Sequence, residues 1–515
     1  MTGGTVSPGR AAVRSGFWVS TGRGRTEVFF AIAAFAVLCV AVLSVAPYLV
    51  EPDDFAYRAS ILAITQGHLL TLSTAQVHAL AAHVDLFAVG GNVAGPGGRG
   101  EPLLIPQWVQ LGNGRWISEK DPGYPFLAAP FQLLGIIRLA PLCYGALGCL
   151  GLFAGARRWL GRFGGAAAVG LFCSSGAALL FAWRDYMPTF TEASLIAAGT
   201  GALLWAVLSA EASPRRRTWA GLGGFVALEA AVFVRYTGIV VLGCAIVAVI
   251  AAWRLRTARL PPAALAWWLG SVALFGAGVA LFNNVAYGGP LKSGYPPGEV
   301  TFSLGAVPSN LRLMPAHLIE AMPMLVLGLA ALAWIAGRWG KLRRADSEPA
   351  APARRDLAVG LALAASWFTV WGVYAAYTWT AHPFSTLQVV RFYVPALGAI
   401  SLLGAWLLVR LPRRTSLAAM ASAAVVVAMF GLGVRSFNAM RESAPPPHPA
   451  LHQQTRNAAD AAASGLWSRA CGRWCQVSRS AGKACAATPI SLHPTRAGQS
   501  LCCPSFVANS QCPTG

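Results

Sequence analysis

Charged side chains are scarce in this sequence of 515 residues. Asp, Glu, Lys and Arg together account for 11% of the residues, whereas 56% are hydrophobic and the mean hydropathy is +0.54. A single soluble core of this length could not bury so much apolar surface. The composition therefore excludes a soluble globular protein and predicts a membrane protein that crosses the bilayer several times.

Acidic residues are the scarcest charged class, with 19 Asp and Glu against 40 Lys and Arg, which gives a formal net charge of +21. Such an excess would suggest nucleic-acid binding in a soluble protein. Here most of the basic residues are arginines in short clusters between apolar runs, as topology determinants are. We therefore expect no nucleic-acid partner.

The sequence also lacks a Walker motif, a glycine-rich nucleotide cradle and an internal repeat. A loop that wraps the phosphates of a soluble nucleotide is therefore not expected. A phosphate carried by a lipid would need no such loop.

What the sequence has in abundance is long apolar runs. The first contains 23 residues without a charge, which is too long for the apolar region of a cleaved signal peptide, so we interpret it as a retained anchor. We predict about eleven transmembrane helices: Val28–Val50, Leu139–Ala156, Gly164–Phe181, Pro188–Ala210, Trp219–Phe233, Thr237–Trp253, Pro262–Tyr287, Ala321–Gly337, Leu357–Thr378, Phe392–Val409 and Ser416–Val434.

Two shorter amphipathic stretches, Phe55–Leu70 and Gly123–Ile137, lie in the long first outer loop and are interpreted as helices on the membrane surface. If Gly123–Ile137 does not span, 22 of the 40 Lys and Arg residues are cytoplasmic and 10 lie in outer positions before the C-terminal tail. The opposite assignment moves two arginine clusters outside, against the positive-inside rule. The N-terminus is then cytoplasmic, and the C-terminus lies outside a cell (plasma) membrane.

Three regions follow from this pattern. We predict that residues 1–27 form a polar, disordered cytoplasmic lead and that residues 28–434 form the transmembrane domain. Residues 435–515 form an extracytoplasmic tail that contains six of the eleven cysteines and no hydrophobic periodicity. We expect this tail to be disordered, and its disulfide pairing cannot be read from the spacing.

An acidic motif follows the first predicted span immediately, with Glu51, Asp53 and Asp54 within four positions. Carboxylates at the rim of the bilayer lose hydration and repel one another, so at least one should have a raised pKa. Such a group is a candidate general base. The structural alternative is that Asp54 caps the next helix.

Basic residues in later outer connections are candidate phosphate ligands. Lys120 lies in Ser-Glu-Lys-Asp-Pro-Gly-Tyr-Pro, Arg184 follows the third span and Arg391 precedes the tenth. Two of them have a structural alternative: Lys120 as a solvated loop charge, and Arg184 in an ion pair with Asp185.

Other polar residues are harder to assign. Glu192 and Glu229 lie within predicted spans, where a charge costs roughly 2.5–3.5 kcal/mol, and Arg235 is a candidate partner for Glu229. The spacing of His78 and His83 does not favour a metal site. A turn-rich loop carries Lys292 and Tyr295, and His382 precedes Arg391.

These residues resemble the GT-C superfamily of membrane glycosyltransferases, and most closely its branch of protein O-mannosyltransferases and lipid A aminoarabinose transferases. The resemblance covers about residues 28–434. It rests on the anchor, on Asp53-Asp54-x-x-Tyr57 at the start of a long first loop, and on Lys120-x-Pro-Gly-Tyr-Pro before an amphipathic helix. One departure is that the family's usual Lys-Pro-Pro reads Lys120-Asp121-Pro122 here.

The resemblance implies an all-α polytopic enzyme that moves a sugar from a polyprenyl-phosphate donor to a hydroxyl at the outer membrane face, inverting the anomeric carbon. It implies Asp53 as the base, Asp54 as a residue that orients the acceptor or tunes Asp53, and Lys120, Arg184 and Arg391 as phosphate ligands. The remaining candidates for substrate contact are Tyr57, Glu119, Lys292, Tyr295 and His382. The acceptor could be a glycan, a lipid or a protein, and a divalent cation is not excluded as a cofactor.

Two other classes of function stay open. A lipid or sugar transporter, or a flippase, would use Glu192 and Glu229 as ion-coupling groups. A scaffold protein would tolerate neutral residues at positions 53 and 54.

Overall fold

The structure is a computed structural model that describes residues 22–442, apart from 85–104, 256–259, 343–350, 382–388, 411–414 and positions 48, 50, 70, 106, 112, 162, 296, 297 and 299. The predictions for most of the N-terminal lead, for the Cys-rich tail beyond residue 442 and for His382 lie outside these residues.

Helices account for most of the described chain. They are α1 Gly22–Leu43, α2 Pro52–Thr65, α3 Thr74–Val84, α4 Gly123–Leu133, α5 Ala140–Leu160, α6 Gly164–Cys173, α7 Gly176–Trp183, α8 Thr189–Leu208, α9 Pro214–Val234, α10 Ile239–Arg254, α11 Pro262–Tyr287, α12 Val307–Ala321, α13 Leu325–Leu342, α14 Ala351–Ala375, α15 Leu397–Arg410 and α16 Thr415–Glu442. A two-stranded antiparallel sheet, β1 Trp108–Gln110 and β2 Trp116–Ser118, lies between α3 and α4.

Eight helical segments in the described residues are long and apolar enough to cross a membrane, or ten if each of two bent helix pairs is one span. The bent pairs are α6 with α7, at 60°, and the helical segment 304–321 with α13, at 109°. Every predicted apolar run overlaps one of these elements or the shorter apolar helix α15. The predicted polytopic helical fold is thus confirmed, and the count of eleven spans stays a prediction.

The first outer loop has more structure than the sequence indicated. Both stretches interpreted as surface helices are helical, as α2 and α4, but they end at Thr65 and Leu133. The loop also contains a hairpin that the sequence did not indicate, in which β1 and β2 pair with Trp108 opposite Ser118. Strands of three residues are too short for an alternating pattern to be recognised.

Small residues bring the central helices into close contact. A Cβ atom built on Gly151 of α5 would lie 2.5 Å from the Cα atom of Ala198 in α8, and one on Gly201 would lie 2.0 Å from the Gly151 carbonyl oxygen. Gly148 and Gly155 meet α8 in the same way. Glycines at spacings of three and four residues let two backbones approach, which is a common basis of helix association in membranes.

The connection from α1 to α2 is fixed by side chains from elsewhere. Arg138 donates hydrogen bonds to the carbonyl oxygens of Val42 at 3.2 Å and Val45 at 2.8 Å. The Trp183 indole N–H donates to the Ala46 carbonyl oxygen at 3.2 Å. These carbonyl groups lie in the last turn of α1 and just beyond it, where the helix offers no partner, so the bonds satisfy them and hold the connection that leads to α2.

We expect Gly151→Ala to destabilise the protein by about 1–3 kcal/mol, because the added methyl group overlaps the backbone of α8. Thermal unfolding in detergent would show this as a lower midpoint. Gly243→Ala in α10 is the matched control, since its Cβ atom would meet nothing within 4 Å. Equal midpoints for the two variants would contradict the packing account.

Candidate active site

The acidic motif forms the first turn of α2. Glu51 is the N-cap residue, Pro52 follows it, and Asp53 and Asp54 are the next two helical residues. The Asp54 carboxylate accepts a hydrogen bond from the Glu51 N–H at 3.1 Å. Carboxylates at this end of a helix are stabilised by its dipole. Asp54 is therefore not the N-cap considered from the sequence, although it does help to close the helix start.

Three cations from distant parts of the chain converge on this turn. Lys120 comes soon after β2, Arg184 directly follows α7 and Arg391 precedes α15. Their side chains are 7%, 0% and 8% exposed, respectively. We call Glu51, Asp53, Asp54, Lys120, Arg184 and Arg391 the ionic cluster. Burial of six charges is stable only when they are mutually paired.

Asp53 lies between two of these cations. Its Oδ1 atom is 3.3 Å from Lys120 Nζ, and its Oδ2 atom is 3.1 Å from Arg391 Nη1. Burial opposes ionisation of Asp53, but Arg391, Lys120 and a hydrogen bond from the Gln107 amide hold its pKa well below the usual range. The expectation of a raised pKa is thus wrong for Asp53, because the sequence could not show how closely the cations approach.

Arg184 binds the other two carboxylates. Its Nη2 atom is 2.5 Å from Asp54 Oδ2 and 3.4 Å from Glu51 Oε2. Arg391 also pairs with Glu51. The structural alternative of an Arg184–Asp185 ion pair is therefore wrong, because the Arg184 guanidinium binds the carboxylates of α2 instead.

Lys120 is held by a second acid and covered by an aromatic ring. Glu119 Oε1 lies 3.1 Å from its ammonium group, and the Tyr295 ring centroid lies 4.9 Å from it. Burial lowers the pKa of Lys120, but Asp53 and Glu119 raise it to about 12. The Tyr295 loop packs tightly here, since a Cβ atom on Gly294 would lie 2.4 Å from Glu119 Cα.

Arg391 is enclosed by aromatic side chains as well as acids. Its guanidinium carbon lies 5.0 Å from the Trp379 ring centroid and 4.8 Å from that of Phe392. Cation–π contacts of this kind stabilise a guanidinium that has lost its water. They also fix its orientation towards α2.

A second buried ion pair lies beside the cluster. Arg235 Nη1 is 3.2 Å from Glu192 Oε2, and it approaches the Arg391 carbonyl oxygen at 3.5 Å. The expectation that Arg235 pairs with Glu229 is therefore wrong. Glu229 instead accepts a hydrogen bond from the Ser271 hydroxyl at 2.8 Å.

Two other buried carboxyl groups have raised pKa values. Burial raises the pKa of Asp121 to about 7, although Arg235, the Tyr236 N–H and Lys120 oppose the shift. Burial likewise raises the pKa of Asp185 to about 7, against the effect of Arg138. Neither group belongs to the acidic motif for which the sequence predicts a raised pKa.

The weaker candidates are placed differently. Tyr57 is buried on α2 against the Tyr124 ring, with 6.0 Å between centroids. Lys292 is exposed and makes no ion pair with a described acid. His382 lies outside the described residues. His78 and His83 belong to α3 and not to a loop.

A small cavity of about 40 Å³ adjoins Lys120. It has room for a few water molecules and not for a sugar ring. Its walls come from α2, β1, α4 and α11, and include His68, Trp108, Phe126, Phe282 and Tyr287. Entry of a larger ligand at this place therefore requires movement of the covering side chains.

Several site residues were missed or left without a role. Gln107 follows a long polar stretch with no recognisable pattern, yet its backbone has a φ of 59°, a left-handed conformation that costs energy in a non-glycine residue. Glu51 received no role from the sequence, although its position in the acidic motif could have indicated that it belongs to the site. Among the described residues, no group of three or more His, Cys, Asp or Glu side chains could hold a metal ion.

The raised pKa of Asp185 and the lowered pKa of Asp53 predict that only Asp185 makes stability depend on pH between pH 5 and 8. Asp185 has a raised folded-state pKa, so its contribution is fully present below about pH 4 and is lost as the pH rises through about 7. Asp185→Asn should therefore gain thermal stability relative to the wild type as the pH rises from 5 to 8.

Asp53→Asn is the matched control, because its lowered pKa keeps the carboxylate ionised throughout that interval. It should lose stability by an amount that does not change with pH. Parallel curves for wild type and Asp185→Asn would contradict this assignment of the raised pKa.

No family model matches the chain, and no curated protein matches it. Solved structures of two proteins resemble it. The ArnT of Cupriavidus metallidurans, solved without ligand and bound to undecaprenyl phosphate, is 17% identical, with a TM-score of 0.44; the match covers 79–80% of this chain and 64% of ArnT.

The other is the oligosaccharyltransferase of Archaeoglobus fulgidus, in its apo form and in complex with zinc and sulfate. It is 12–13% identical, with a TM-score of 0.45, and the match covers 82% of this chain and 54–57% of that one. Both proteins belong to the GT-C superfamily that the motifs resemble. At these identities and TM-scores the likeness carries no argument about activity.

Proposed function

We propose that this chain is an inverting membrane glycosyltransferase that takes a sugar from a polyprenyl-phosphate donor and passes it to a hydroxyl group. The observation that carries the proposal is the ionic cluster. Three carboxylates at the start of α2 meet three cations from separate connections, at one end of a bundle of apolar helices. The proposed site faces the extracytoplasmic side of the cell membrane.

The cations suit a lipid phosphate. Lys120 and Arg391 are charged at any physiological pH, and both are largely removed from water. A phosphate that arrives from the bilayer would compete with Asp53 for the same donors, because charge-assisted hydrogen bonds to phosphate are as strong as those to a carboxylate. The undecaprenyl phosphate named for the ArnT structure is the type of carrier that we propose.

Donor binding would also activate the base. While Lys120 and Arg391 bind Asp53, its carboxylate is a weak proton acceptor. Once the phosphate attracts both cations, the pKa of Asp53 should rise towards the range in which a carboxylate can take a proton. The base would then be available only when the donor is bound, which limits unproductive reactions.

The chemical step follows directly. The acceptor oxygen attacks the anomeric carbon as the bond from that carbon to the phosphate oxygen breaks, and the phosphate leaves with the bonding electron pair. The hydroxyl proton goes to Asp53. Negative charge that develops on the leaving phosphate is stabilised by Lys120, Arg391 and Arg184.

The neighbouring residues would position these groups. Asp54 holds Arg184, and Glu119 holds Lys120, so each orients a cation rather than accepting the proton. Tyr57 and Tyr295 provide aromatic faces suited to a sugar ring. The proposed acceptor is a hydroxyl of a glycan, a lipid or a protein.

Asp53→Asn should reduce glycosyl transfer by about 10²–10⁴-fold, because it removes the proton acceptor. The variant should bind the donor at least as tightly as the wild type, since Lys120 and Arg391 lose a competing anion. Both cations keep a partner, in Glu119 and Glu51. Release of undecaprenyl phosphate and binding of an undecaprenyl-phosphate monosaccharide would be measured on the purified protein.

Full transfer activity in Asp53→Asn would remove Asp53 as the base. Uptake of a labelled solute into proteoliposomes without any transfer would instead favour a transporter. The two results are independent, so the assays separate the role of this residue from the class of function.

Lys120→Met should weaken binding of the undecaprenyl-phosphate donor by about 10- to 100-fold, as expected for loss of a hydrogen bond to a charged group. Lys292→Met is the matched control, because Lys292 is exposed and has no place in the cluster. Binding is measured by titration of the donor into detergent-solubilised protein. Equal affinities for the two variants would show that Lys120 does not contact the phosphate.

A further inference from the structure

Asp121 is a buried carboxyl group with few hydrogen-bond partners among the residues that the structure describes. It is 6% exposed, and it accepts a hydrogen bond from the Tyr236 backbone N–H at 3.3 Å. Within the described part of the chain, it makes no ion pair. Lys120, its neighbour in sequence, turns towards Asp53 and Glu119 instead.

A carboxyl group left in this state is costly. An ionised carboxylate has about four acceptor positions, and one long hydrogen bond fills only one of them. Under-satisfied polar groups of this kind destabilise the protein that buries them. A ligand that supplies the missing hydrogen bonds would therefore bind here with an advantage.

The surroundings of Asp121 belong to the proposed active site. The charges of Arg235 and Lys120 act on it, and its own charge acts on Tyr57 and Tyr295. Tyr295 in turn covers the Lys120 ammonium group. Asp121 thus adjoins the space in which the sugar attached to a phosphate on Lys120 would lie.

The chemistry of Asp121 matches a hydroxyl group. Burial raises its pKa to about 7, so both the neutral and the ionised form exist near neutral pH. The neutral form can donate one hydrogen bond and accept another, as a sugar hydroxyl also does.

We propose that Asp121 is a specificity-determining residue that hydrogen-bonds to a hydroxyl of the transferred sugar. The inference rests on the proposed function and assigns part of its sugar selectivity to this side chain. Asp121 then binds the sugar, whereas the proton of the acceptor hydroxyl goes to Asp53.

The test combines variants with altered substrates. Transfer is first measured with undecaprenyl-phosphate glucose, mannose, galactose and arabinose, and then with monodeoxy analogues of the best donor. We expect the wild type to disfavour one analogue by about 10- to 100-fold in kcat/KM, as loss of a hydrogen bond to a buried polar group predicts.

Asp121→Ala should reduce this discrimination to less than about threefold, mainly by raising KM for the parent sugar. Asp121→Asn should retain most of the discrimination and a kcat within about threefold of the wild type, because an amide also donates and accepts. Asp356→Ala is the control. It removes another buried carboxylate, bonded to Trp159 and Arg410, and should lower thermal stability without changing discrimination.

Unchanged discrimination in Asp121→Ala would overturn the proposal. So would a folded Asp121→Asn variant with no turnover, because that result would make Asp121 a base and not a binding residue. Absence of transfer by the wild type from every donor would overturn the proposed function itself. Failure of the role proposed for Asp121 can therefore be distinguished from failure of the proposed glycosyltransferase function.

Discussion

The structure depends on the mutual neutralisation of six buried charges. At the start of α2 the three carboxylates of Glu51, Asp53 and Asp54 would repel one another. Burial of the three cations Lys120, Arg184 and Arg391 would destabilise the fold if no anion replaced their water. Each set makes burial of the other tolerable. The elements that carry them must therefore meet at one end of the bundle, so the cluster constrains both the fold and the site.

The same pairing limits the chemistry. A carboxylate bound by two cations is well oriented but weakly basic, and a phosphate ligand is the kind of anion that can relieve this restraint. Binding of a lipid phosphate and activation of Asp53 are then a single event. The network also holds α2 in place, because a displaced α2 would leave charges of both signs unpaired in a region of low dielectric constant.

Much of this could be predicted from the sequence. Apolar run lengths indicated the helices, and the acidic motif with Lys120, Arg184 and Arg391 was singled out because charges are rare elsewhere. Pairings could not be predicted: Arg235 binds Glu192 and not Glu229, and Arg184 binds Asp54 and not Asp185. These choices depend on how helices rotate and bend. The hairpin and Gln107 gave no signal, since three-residue strands and a single strained backbone position have no sequence period.

The most direct test is a structure of the protein with an undecaprenyl-phosphate sugar bound, in which the distance from Lys120 Nζ to Asp53 Oδ1 is measured. The account predicts phosphate oxygens within hydrogen-bonding distance of Lys120 and Arg391, and a separation from Asp53 clearly longer than the present 3.3 Å. A phosphate bound elsewhere, with both ion pairs of Asp53 unchanged, would contradict it.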